Sequence, residues 1–255
     1  FLFMLVGLFV AGLFLAVYTH IPGIADNARA TIYGSAILQS VLAFVFPAIL
    51  ALRMSGKKPL SYLKLKGDPQ MGRKMALAIS AFILSYACVS FLNQWNQGLS
   101  LPQAMQGVEQ WMRSLEDQAM DTTKLLLSGN RPLHLLLNLL VVAGVAALSE
   151  EIFFRGALQQ FLQEKYRNGH AAVWISALIF SLVHLQFYGF FPRLGLGALL
   201  GYLFLYTRNL WAPILAHFIN NATVILLHYF WGESEWMEAL EGVELTAPFA
   251  TIALI

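Results

Sequence analysis

Long apolar runs separated by short polar breaks dominate the pattern of this chain. The runs fall at about 1–18, 31–52, 74–94, 133–161, 171–190, 194–207 and 210–231, and an eighth begins near 246. A membrane-spanning helix takes about 20 apolar residues, with a range of about 17–25. The 194–207 run is short and predicts a tilted or partly embedded helix. Lipid offers no partner to an unpaired backbone group, so each run has to be helical. The pattern therefore predicts an all-α, polytopic transmembrane helical bundle of about eight spans, forming one integral membrane domain over residues 1–255. The first run has no basic leader and no small-residue cleavage site, and is expected to be a retained span. A chain that begins at Phe1 and ends inside the apolar stretch TAPFATIALI is expected to be a trimmed part of a slightly longer protein.

The longest polar connection is 95–132. Within it Val108, Trp111, Met112, Leu115 and Ala119 recur at helical spacing with charges between them. That spacing predicts an amphipathic helix, lying at the membrane interface or packed as a small extramembrane helix on the bundle.

Composition and charge agree with a membrane class. The chain is 58% hydrophobic and 12% charged, against about 25% charged residues in soluble domains. Its expected partners are membrane lipid and a peptide or protein substrate, with no nucleic acid. The lone cysteine, Cys88, sits in an apolar run, so no disulfide can form within the chain. The connection 53–74 carries Arg53, Lys57, Lys58, Lys64, Lys66, Arg73 and Lys74, seven of the sixteen basic residues. Short loops rich in Lys and Arg stay cytoplasmic. Counting spans from that loop puts Lys165, Arg167 and Arg208 on the same side. Glu109, Glu116, Asp117, Asp121 and the acidic cluster 233–244 fall on the other. The expected location is the bacterial inner membrane.

Ionisable groups in the apolar runs carry the candidate chemistry, because at membrane depth they are costly and mark functional sites. Glu150 and Glu151 close one run and are followed by Arg155 in SEEIFFRG. Glu151 and Arg155 are four apart and share a helix face, so they can pair. Glu150 is turned away by roughly 100° and projects without a local cation, as a general base would. Phe180 and His184 share a face of a later run, as do His217 and Asn221 of another. A neutral imidazole can help Glu150 activate water, while a second imidazole and an amide can donate to an oxyanion. This inventory is that of water-activated acyl hydrolysis; Ser149 and Ser181 lie nearby, but no GxSxG elbow is present. Glu150, His184 and His217 could alternatively ligate zinc, two His plus one Glu being a catalytic set. No HExxH is present, and the ligands would come from three helices, so no cofactor is favoured. A non-enzymatic membrane scaffold or immunity-type binding protein and a proton-coupled transporter are the alternatives from other classes; against the transporter, no inverted repeat is visible.

The three motifs, Glu150-Glu151-x-x-x-Arg155, Phe180-x-x-x-His184 and His217-x-x-x-Asn221, resemble in order and type those of the CPBP intramembrane endopeptidases, the CAAX protease and bacteriocin-processing (Abi) family. The similarity spans about 130–231 and includes GALQQFL and GYLFLYTRNLWAPILAHFINN. It implies a membrane-embedded endopeptidase, with type II CAAX prenyl proteases among its relatives. It further implies Glu150 as the water-activating residue assisted by His184, His217 and Asn221 as the oxyanion site, and Glu151, Arg155 and Phe180 in support. Both metalloprotease and metal-free, glutamate-dependent mechanisms are argued for the family, and the resemblance favours the latter.

Overall fold

The computed structural model describes residues 2–21, 27–67, 69–129 and 131–232. Among them the regular structure is all helical, with no strand: α1 (Leu2–Tyr18), α2 (Ala28–Met54), α3 (Pro59–Tyr62), α4 (Met71–Gln97), α5 (Gln106–Leu127), α6 (Pro132–Tyr166), α7 (Gly169–Leu182), α8 (Phe190–Thr207) and α9 (Trp211–Trp231). Local chemistry sets several of the ends. The side chains of Asn27 and Asn168 each accept a backbone N–H, from Ala30 and Ala171, at 3.1 Å, as favoured N-caps do. Pro132 fills the first turn of α6, where its missing N–H is no loss. Arg167 and Arg208 end α6 and α8 in the left-handed conformation, at φ 52° and 48°.

The span count differs from expectation. Four described helices, α2, α6, α8 and α9, are long and apolar enough to cross a membrane, and five if α4, bent by 40°, counts as one span. α1 and α7 are apolar but shorter, and the run near 246 lies outside the described residues, as does the acidic cluster 233–244. The run at 171–190 is cut because α7 stops at Leu182 and a loop follows. Its 14 residues reach about 21 Å at ~1.5 Å each, short of a hydrocarbon core of ~30 Å. Side chains such as Phe14, Leu84 and Phe91 face outward, as an integral membrane protein requires.

The longest helix, α6, runs for 35 residues. Its hydrogen-bond ladder widens to π winding over Asn138–Val145 and again over Ile152–Gln159, a feature frequent at functional sites. Glu150 and Glu151 lie on the α-helical turn between, Ala146–Glu151. α8 packs closely on α7 at Gly197 and Gly201, a small-xxx-small pair that lets backbones approach, and a Cβ on Gly197 would stand 3.2 Å from the Ala177 backbone. A Cβ on Gly201 would stand 2.9 Å from Val173 and 3.0 Å from Gln159. On the α6 side the long side chains of Arg155 and Gln159, one turn apart, reach across and donate to the carbonyls of Gly197 and Gly201 at 2.9 and 3.0 Å.

α5 is the amphipathic helix expected in 95–132, and it is packed on the bundle. Its C-terminal end is fastened to α2 and α6. Arg29 donates to the carbonyls of Leu126 and Ser128 at 3.3 and 2.5 Å, satisfying groups that helix ends leave open. Asn138 donates to the Leu126 carbonyl at 2.9 Å and accepts from the Tyr33 hydroxyl at 2.8 Å.

Candidate active site

The first motif folds into a buried ion pair that reaches a second helix. Glu151 and Arg155 are both fully buried, with Oε1 of Glu151 2.6 Å from the Arg155 guanidinium. The same Oε1 lies 2.9 Å from Nδ1 of His217 on α9. A carboxylate oxygen can only accept, so Nδ1 of His217 carries a proton and Nε2 is the free position. That Nε2 faces Glu150, with Oε2 at 4.0 Å. Glu150 keeps its side chain 14% exposed while Glu151 has none. The two carboxylates thus differ in access as well as in partner.

His184 is fixed by the same logic. Its Nδ1 lies 2.7 Å from the carbonyl oxygen of Phe180, so this nitrogen donates and Nε2 carries the lone pair. The Phe180 ring is the element that joins the motifs. It meets the His184 ring edge-on at 4.9 Å and the His217 ring at 6.0 Å, and the Arg155 guanidinium lies 4.8 Å from its centre. Three helices and the loop after α7 therefore converge on one aromatic side chain. Asn221 stands one turn beyond His217. Its amide donates to the Val142 carbonyl at 3.4 Å, and its Oδ1 accepts from Asn220 at 3.1 Å.

Sequence reasoning missed several polar groups of this region. Asn220, 3% exposed, orients Asn221; Arg193, 1% exposed, bonds Gln186 two residues past His184. Asn96 and Glu116 come in from α4 and α5. The motif spacings do not include them. The available signal was a polar residue inside an apolar run, which Arg193 and Asn220 both show. Ser149 and Ser181 donate to the carbonyls of Ala146 and Phe190. The metal reading meets a geometric obstacle: among the described residues no three His, Cys, Asp or Glu side chains are grouped to hold an ion. Glu150, His184 and His217 do not fit a zinc site as they stand.

Residues 132–223 match the family model described as type II CAAX prenyl endopeptidase Rce1-like. The chain is 24% identical over 190 residues to the protein named "Putative membrane peptidase YdiL" of Bacillus subtilis, covering 74% of this chain and 71% of that one. It is 34% identical over 80 residues to "Uncharacterized protein YpbD" of the same organism, covering 30% of this chain and 38% of that one. No solved structure matches. The matched region holds all three motifs, the π-wound stretch of α6 and both imidazoles, and with it the chain carries the resemblance to the CPBP membrane peptidases that its motifs suggested.

Proposed function

We propose that the protein is an intramembrane endopeptidase that hydrolyses a peptide bond with water activated by Glu150 and His184. The observation that carries this reading is that the His184 and His217 rings both pack on Phe180 and His217 faces Glu150 through Nε2 at 4.0 Å, with each imidazole oriented through its Nδ1. Glu150, the accessible carboxylate, takes a proton from water as the water oxygen attacks the scissile carbonyl carbon. Nε2 of His184 accepts from the same water and aligns it. The oxyanion that forms needs donors. The amide of Asn221 has a second N–H to offer. His217 can donate only with its ring doubly protonated, because its first proton is committed to Glu151. The C–N bond then breaks as Glu150 returns its proton to the leaving amine, giving a carboxyl and an amine product.

The substrate fits an apolar surrounding. A cavity of about 510 Å³ lies between α4, α6 and α9, lined by Met71, Met75, Leu148, Ile214, Leu215 and Phe218. A lipidated or membrane-embedded peptide, such as the prenylated tails named for the matching family, suits such a wall.

The test compares peptide products from membranes carrying the native chain or Glu150→Ala. Loss of a general base is expected to remove products by about 10²–10⁴-fold while the variant still folds and inserts. Products undiminished in Glu150→Ala would overturn the mechanism. A chelator added to the native sample is expected to leave the yield unchanged.

A further inference from the structure

Seven residues, 183–189, join α7 to α8, and His184 is the second of them. The next residue, Leu185, has φ of 56°. A left-handed backbone costs an ordinary residue about 1–2 kcal/mol, and such strain persists only where the surroundings over-determine it. The three residues that follow are each tied to a different helix. Arg193 of α8 donates to the carbonyl and the side-chain oxygen of Gln186 at 3.3 and 2.5 Å. Asn96 of α4 donates to the Phe187 carbonyl at 2.9 Å and accepts from the Phe191 N–H at 2.8 Å. Glu116 of α5 accepts from the Tyr188 N–H at 3.3 Å.

Ring contacts reinforce the third tie. Trp111 packs on Phe187 at 5.5 Å, and the Arg113 guanidinium lies 4.4 Å over the Tyr188 ring. The Tyr188 hydroxyl donates to Glu109, which also takes Arg113. Glu116 is 8% exposed, although it sits on a helix whose neighbours Arg113 and Asp117 are free to face water. Buried polar groups are retained in partnerships, and the backbone N–H that this one accepts comes from the loop that bears His184. Neither Glu116 nor Asn96 falls within residues 132–223.

We infer that Glu116 is a positioning residue for His184: through it, α5 latches the strained 183–189 loop and sets the direction of the imidazole from outside the matched core. The catalytic consequence rests on the peptidase reading; the latch itself does not.

The experiment uses the full chain in lipid nanodiscs, as native protein, Glu116→Ala, Glu116→Gln and Glu150→Ala. Hydrogen exchange of the 183–189 amides and the rate of His184 modification by diethyl pyrocarbonate read the latch. Turnover of the peptide found by the product comparison reads catalysis. In Glu116→Ala, exchange at Tyr188 is expected to rise about tenfold, the worth of one hydrogen bond. The His184 modification rate is expected to change with it. The kcat is expected to fall by as much as about 10²-fold, the scale of a small misplacement, with KM little altered. Glu116→Gln keeps an acceptor oxygen and is expected to restore all three readouts. Native exchange and native His184 reactivity in Glu116→Ala would overturn the inference, as would faster exchange with undiminished kcat. If Glu150→Ala leaves products intact, the peptidase reading falls separately, and exchange and modification still decide the latch.

Discussion

One oxygen of Glu151 accepts from both Arg155 and His217, at 2.6 and 2.9 Å, and its Oε2 is buried without a hydrogen-bond partner among the described residues. Removing the charge of Glu151 would strand the fully buried Arg155 guanidinium. Breaking one half of such a pair costs about 3–5 kcal/mol. Glu151→Gln is therefore expected to lower the thermal unfolding midpoint markedly, while Glu150→Gln, whose carboxylate is partly exposed and meets His217 only at 4.0 Å, leaves it nearly native. Equal midpoints in the two variants would refute this division. The pairing of Glu151 with Arg155 was legible from four-residue spacing alone. The tie to His217 was not, because it crosses from α6 to α9 and no periodicity within one helix encodes it. The spacing pairs Glu151 with Arg155 on one helix face; in the structure the same carboxylate also holds the imidazole of the third motif, His217.

Helix contacts explain which substitutions the elements tolerate. At Gly201 an added Cβ meets Val173 and the Gln159 amide at or below 3.0 Å, whereas at Gly12 of α1 nothing lies within 4 Å. Overpacking a tight contact costs about 1–3 kcal/mol. Gly201→Ala is expected to destabilise by that amount and weaken the Gln159 bond, and Gly12→Ala to be near neutral in the same unfolding assay. The apolar runs located α1, α2, α4, α6, α8 and α9 to within a few residues, because lipid forces helicity on any such run. They overstated α7, since nothing in hydropathy shows that the chain turns left-handed at Leu185. The π winding of α6 was also invisible, because over eight residues a 3.6 and a wider period place the same apolar side chains acceptably. Val108, Trp111 and Met112 did reveal α5, yet its inward contact through Glu116 runs against the rule that a charge marks the solvated face.

For the molecule as a whole, docking of α5 depends on acids of opposite tendency. Burial pushes the Glu116 carboxyl up, against the Tyr188 N–H and the Arg193 charge, which favour its ionised form. The Arg113 hydrogen bond, with the Leu101 N–H, holds Glu109 down. A raised carboxyl binds its proton more tightly in the docked state, so its stabilisation is present below the ordinary glutamate range and is lost as pH rises through the raised value. The lowered Glu109 gives the reverse: its contribution is present above the ordinary range and is lost as pH falls through the lowered value. Exchange at Tyr188, corrected for intrinsic pH dependence, is expected to be slowest near the ordinary glutamate range and to rise on both sides. In Glu116→Gln the rise on the alkaline side should vanish; its persistence would assign the effect elsewhere. The paired donors of Arg155 and Gln159 on the carbonyls of Gly197 and Gly201 have a different consequence. Two bonds one turn apart act like teeth in a rack, so α6 and α8 can slide only by a whole turn, about 5.4 Å. A wall locked in that way does not part for an incoming chain. The α6–α9 seam carries a second such pair, His217 on Glu151 at 2.9 Å and Asn221 on the Val142 carbonyl at 3.4 Å, so α6 is keyed to α8 and to α9 alike and keeps its register between them.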